Sequence, residues 1–149
     1  MLTFDNLIGR IITGVFVSKE GQHYLKFTIK DDKDIIFYAY GDCCSESWIA
    51  DVIGVPDILD SQVISTQEMA LPEPKDNRSR QESDSVFGLS IKTRGGSATI
   101  VFRNSSNGYY GGNLIEISEE KNRRSMGEEE TDPEKIEWID LSETNDYSA

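Results

Sequence analysis

Residues 22–30, QHYLKFTIK, alternate strictly, with Tyr24, Lys26, Thr28 and Lys30 on one side and Leu25, Phe27 and Ile29 on the other. A period of two belongs to an extended strand that turns one face to a core and the other to water. The neighbouring segments support the same reading. LIGRIITGVFVS (7–18) is rich in β-branched residues, and IIFYAYG (35–41) follows the turn residues DDKD. Short strands separated by turns predict a meander of antiparallel hairpins. QVISTQEMAL (62–71) reads as a further strand. VFGLSIKTRGGSATIVFRN (86–104) reads as a hairpin, with Leu89, Ile91 and Thr93 in one arm and Ala98, Ile100 and Phe102 in the other, about a Gly95–Gly96 turn. LIEIS (114–118) supplies the last core strand.

SESWIADVIG (45–54) has a different pattern. Ser45 suits a helix N-cap and Glu46 a first turn, while Trp48, Ile49, Val52 and Ile53 fall on one apolar stripe. Gly54 and Pro56 then act as stops. The expected fold is α+β: a mainly antiparallel, strongly curved or barrel-like sheet of about six or seven strands, with one short helix at 45–53. The expected core comprises Ile8, Ile11, Val15, Leu25, Phe27, Ile36, Trp48, Val52, Ile91, Ile100 and Phe102.

The 149 residues fit one domain. Residues 1–118 read as a single mainly-β domain, interrupted by a polar loop at 72–84. Residues 119–149 read as an acidic, partly disordered tail with a docking segment, IEWIDL, at 136–141. Of the net charge of −12, residues 1–118 contribute −5 (11 Lys and Arg against 16 Asp and Glu) and the tail −7 (4 against 11). That balance excludes binding duplex nucleic acid through its phosphates, which requires clustered Lys and Arg. A small anion remains compatible, since a few guanidinium and amide groups can form a local positive pocket. No stretch approaches the roughly 20 apolar residues of a membrane span. The start, MLTFDNLIGRIITG, lacks a basic leader with an apolar run, so a cytoplasmic protein with reduced thiols is expected.

Two stretches carry polar chemistry. GDCCSESW (41–48) holds both cysteines of the chain, which has a single histidine, His23. Zinc requires four ligands, usually at separated spacings, so no metal site is expected. Adjacent cysteines rarely pair, because the small ring strains the intervening peptide bond. A thiol at a helix N-terminus is a candidate nucleophile, with Asp42 or His23 assisting. The competing readings are a packed strand-to-helix corner capped by Asp42, Ser45 and Ser47, and an anion site on the same free amides. RNSSNGYYGG (103–112) is dense in Gly and Asn, as tight turns require. As a binding loop it offers Tyr109 and Tyr110 for stacking, Asn104, Ser105, Ser106 and Asn107 for hydrogen bonds, and Arg103 for a phosphate.

GDCCSESW and RNSSNGYYGG, with the opening LIGRIITGV, resemble the signatures of a domain of unknown function of the DUF7448 type, found mostly in tailed phages. The resemblance covers Leu7 to about Ile117 and implies a phage origin, hence a host-cell cytoplasm, without implying any chemistry. On the residues themselves three functions compete. The first is a non-enzymatic binding protein, without cofactor, that sequesters a small nucleotide-like ligand such as a host defence signal and assembles as a homo-oligomer. Its ligand-binding residues would be Asp42, Cys43, Cys44, Ser45, Ser47, Trp48, Arg103, Asn104, Ser105, Ser106, Asn107, Tyr109 and Tyr110. The second is an acidic interaction module that blocks a host protein, and the third a cysteine-dependent enzyme.

Overall fold

The computed structural model describes residues 4–41, 46–71, 83–106, 112–117 and 135–148. Among them are ten strands: β1 (Ile12–Ser18), β2 (Tyr24–Ile29), β3 (Ile35–Gly41), β4 (Glu46–Ile53), β5 (Val63–Leu71), β6 (Ser83–Thr93), β7 (Ser97–Ser106), β8 (Gly112–Glu116), β9 (Trp138–Asp140) and β10 (Asp146–Ser148). They form two five-stranded sheets, in the orders β8-β3-β2-β1-β9 and β10-β4-β7-β6-β5, and every pairing is antiparallel. One apolar cluster joins them, with Val15, Leu25, Phe27 and Phe37 from the first sheet and Ile49, Val52, Ile91, Ile100 and Phe102 from the second. Neither sheet closes on itself, so the expected barrel is replaced by two sheets sharing one core. The strand number rises accordingly.

The helix expected at 45–53 is strand β4. Its apolar stripe has another origin. Ile49 and Val52 are both fully buried, three positions apart, because the register with β7 shifts between Ile49 and Asp51. A bulge inserts one residue and returns the next inward position after three residues rather than two. Spacing of i, i+3 therefore imitates a helix where β-branched residues favour the strand. The one short helix among the described residues, α1 (Val55–Ile58), comes just afterwards. Gly54 opens it in the left-handed conformation (φ 84°), and Pro56 occupies its first turn, where no amide is needed. A Cβ on Gly54 would lie 2.6 Å from the carbonyl oxygen of Ser97. Gly54→Ala should therefore cost on the order of 1–3 kcal/mol in an equilibrium urea unfolding measurement.

Three expected core residues move outward. Ile8 is 45% exposed beside the 3-10 turn Asp5–Leu7, whose Leu7 takes the buried position. Ile11 is half-buried, because a bulge between Ile12 and Gly14 turns Ile12 and Val15 inward together. Trp48 is half-buried on the outer face of β4. Ile36 is buried, but it lies opposite Lys26 on the outer face of β3, apart from the main cluster.

Within the expected tail, the described residues 135–148 contribute to both sheets. β9 extends the first beside β1 and β10 extends the second beside β4, with Leu141 buried between them.

Candidate functional site

The two passages that carry the polar motifs leave and re-enter the sheets at one end of the fold. Gly41, the last residue of β3, pairs with Gly112, the first of β8. In the other sheet Glu46, the first residue of β4, pairs with Ser105 of β7. The chain thus passes from the first sheet to the second between 41 and 46, and back between 106 and 112, from neighbouring positions. The turn joining β1 to β2 belongs to the same end, since Tyr24 pairs with Tyr38. So does the start of β9, where Trp138 pairs with Ser18.

The β1–β2 turn stitches the sheets together there. The carbonyl of His23 accepts from the Ala39 amide of β3 (2.7 Å), and that of Gln22 from the Ile49 amide of β4 (2.9 Å). His23 Nδ1 lies 3.0 Å from the carbonyl oxygen of Ser47. A carbonyl only accepts, so Nδ1 carries the proton and, in the neutral ring, Nε2 becomes an acceptor. Gly21 must be glycine: its φ is 73°, and a Cβ would lie 2.5 Å from His23 Nε2. The side chain of Gln22 hydrogen-bonds Tyr147 of β10, whose hydroxyl is pushed up in pKa by burial and pulled back in part by that bond.

Beneath this turn Asn104 Nδ2 donates to Ser47 Oγ at 2.7 Å, both residues being 2% exposed. Removing one member of a buried polar pair strands the other, so Asn104→Ala should lower stability by about 1–3 kcal/mol. Thermal unfolding of the variant checks this. The next pair, Trp48 and Arg103, points to the opposite face, and the guanidinium carbon lies 5.3 Å from the indole centroid.

The structure therefore brings Ser47, Trp48, Arg103 and Asn104 into two adjacent cross-strand pairs on opposite faces of one sheet. Ser105 and Ser106 continue the backbone of β7. Asp42, Cys43, Cys44, Ser45, Asn107, Tyr109 and Tyr110 lie outside the described residues. Two further arginines are remote from this end: Arg10 pairs with Asp32 beside the start of β1, and Arg94 lies in the β6–β7 turn.

An open cleft of about 790 Å³ lies at the same end, between residues 18–21, His23 and Tyr24 on one side and residues 135–137 on the other. Its backbone seam is the bond from the Lys19 amide to the Glu137 carbonyl, 2.9 Å. Lys19 Nζ also lies 3.7 Å from Glu137 Oε2, but both groups are well exposed and the pair contributes little. Lys19, Lys135, Glu20 and Glu137 balance in charge. From the cleft an aromatic surface runs over the outer face of the first sheet. The rings of Tyr24 and Tyr38 are 5.0 Å apart, and Lys26 Nζ sits 4.6 Å from the centroids of both Phe16 and Trp138. Sequence reasoning missed this surface, although its signal was present in Tyr24 and Lys26 on the polar face of the alternation.

Among the described residues no group of three or more His, Cys, Asp or Glu could hold a metal ion. No helix among them is long and apolar enough to cross a membrane. A family model described as a domain of unknown function (DUF7448) matches residues 5–116. No curated protein and no solved structure matches.

Proposed function

We propose that this chain, which belongs to the DUF7448 family, is a non-enzymatic binding protein that holds a small nucleotide-like ligand at the end of the fold where its two sheets exchange strands. The observation that carries this reading is convergence. Both polar motifs flank that end, and His23 links its cleft to the buried Ser47–Asn104 pair. The chemistry suits an aromatic heterocycle with few charges. Tyr24 offers a flat ring, His23 Nε2 an acceptor for an exocyclic amine, and Lys19 and Lys135 two cations for a single phosphate. The neighbouring Glu20 and Glu137 disfavour a polyphosphate. In a phage setting such a protein sequesters a host signalling nucleotide.

A thermal-shift screen with cyclic nucleotides and ADP-ribose derivatives tests the proposal. A ligand at hundreds of times its dissociation constant should stabilise the fold by roughly 3–4 kcal/mol. The shift should disappear in Tyr24→Ala while the variant keeps its far-ultraviolet circular dichroism. A flat panel turns the reading to an acidic module that binds a host protein, for which the net charge of −12 is the supporting observation. Selective iodoacetamide labelling of one thiol near neutral pH would instead favour a cysteine enzyme.

A further inference from the structure

The four edges of the two sheets are unequal. β8 is five residues long and β9 and β10 three each, whereas β5 runs for nine. Short edges offer little to a foreign strand, but a long one is a template for pairing. The N-terminal segment meets the beginning of β5 through its backbone and the middle through one side chain: the Gly9 amide donates to the Val63 carbonyl and the Val63 amide to the Arg10 carbonyl, both at 2.9 Å, and Thr66 Oγ1 donates to Asp5 Oδ1 at 2.9 Å. Beyond Val63 no strand among the described residues pairs with its outer side. Apart from a bulge near its start, the usual guards are missing as well. VISTQEMAL contains no Lys, Arg, Pro or Gly, and Glu68 is its one charge.

A second observation points to the same place. Of the four exposed large hydrophobic residues among those described, Ile64 (51%) and Met69 (38%) are on β5, and Ile8 (45%) is in the segment bonded to its start. Ile64 is there because the β5–β6 register shifts between Val63 and Ser65, leaving it as the extra residue of a bulge.

We infer that β5 is the contact by which two copies of this chain associate, pairing antiparallel about a twofold axis to join their second sheets. The strand is self-complementary. Its polar centre, Ser65, Thr66 and Gln67, is flanked by apolar residues at both ends, so reversing one copy lays apolar ends against apolar ends. With Gln67 on the axis, Glu68 falls opposite the partner's Thr66 and not opposite its own counterpart, which avoids a directly opposed pair of like charges. In a chain of net charge −12, the partner's Glu68 then approaches the Asp5 carboxylate held by Thr66, a local repulsion that adds to that between the two whole chains. The long-range repulsion is screened by salt, so association strengthens as ionic strength rises.

Sedimentation equilibrium of the full chain, from about 1 to about 100 micromolar and at low and high salt, tests the inference. The expected result is a concentration-dependent dimer favoured by salt, abolished in the Ile64→Lys/Met69→Lys variant. Hydrogen exchange on the unmodified protein gives an independent reading: amides within 65–69 should gain protection as concentration rises. A monomer under all these conditions overturns the inference. So does a folded double-lysine variant that dimerises as well as the parent, or a dimer whose added protection lies outside β5.

Discussion

A chain lacking residues 135–149 should lose its cooperative unfolding transition. β9 supplies the outer partner of β1, pairing Val17 with Ile139, and β10 that of β4, pairing Val52 with Tyr147. Between them Leu141 is 1% exposed, and its amide donates to the Val15 carbonyl at 2.9 Å. The carbonyl of Asn145 receives the Gly54 amide at 2.8 Å, which fixes the turn into α1. Leu141→Ala alone should cost about 3 kcal/mol, by the usual sum of lost transfer energy and residual cavity. The truncation also uncovers Trp138, Ile139 and Tyr147 contacts, and approaches a total stability on the order of 5–15 kcal/mol. Circular dichroism during a urea titration checks both variants. A sharp transition at the parent midpoint would show that these strands merely decorate the fold. Acid should loosen the same segment. Asp140 is held below the usual aspartate range by the Ser142 hydroxyl first and the Ser142 amide second. A depressed carboxylate stabilises above its unfolded pKa, and the contribution is lost as pH falls below about 4 and through the lowered folded value.

Phe27→Ala should be nearly as damaging, at about 4 kcal/mol in an equilibrium urea measurement. Phe27 is fully buried, and its ring meets Phe4 at 5.8 Å and Phe37 at 6.0 Å, with interplanar angles of 75° and 87°. Such edge-on contacts add to the area term, and the cavity left behind would be lined by apolar groups that offer water no partners. Lys30→Ala, three positions along on the exposed side, should change stability by no more than about 0.5 kcal/mol. Equal losses at the two positions would mean that the alternation does not define the core.

That alternation is where the sequence was most legible. Leu25, Phe27 and Ile29 pointed inward as their period required, and the β6–β7 hairpin followed from Leu89, Ile91, Ala98, Ile100 and Phe102 about paired glycines. Errors arose where bulges break the period. Ile49 with Val52 mimics a helix, and Ile12 with Val15 displaces Ile11. β9 lies within IEWIDL, expected as a docking segment but not as a strand, and β10 escaped, because three-residue strands carry too little pattern to stand out in a charged segment. At the candidate site both motifs mark the passages between the sheets, but the cleft residues Lys19, Tyr24 and Lys135 lie outside them. The geometry was not legible. The pairing of Ser47 with Asn104 spans 57 positions, and the bond from His23 to the Ser47 carbonyl depends on a register that local composition does not encode.

The late position of β9 and β10 in the chain also sets an order of events during folding. Hairpins such as β6–β7 close over a few residues, whereas joining Val17 to Ile139 closes a loop of 122 positions (139 minus 17). Loop closure slows contacts of long sequence separation, so these strands should dock last. Until they do, β1 and β4 each present an open side, and two partly folded chains can pair through them instead. Refolding yield should therefore fall as protein concentration rises, with the loss concentrated in the slowest kinetic phase.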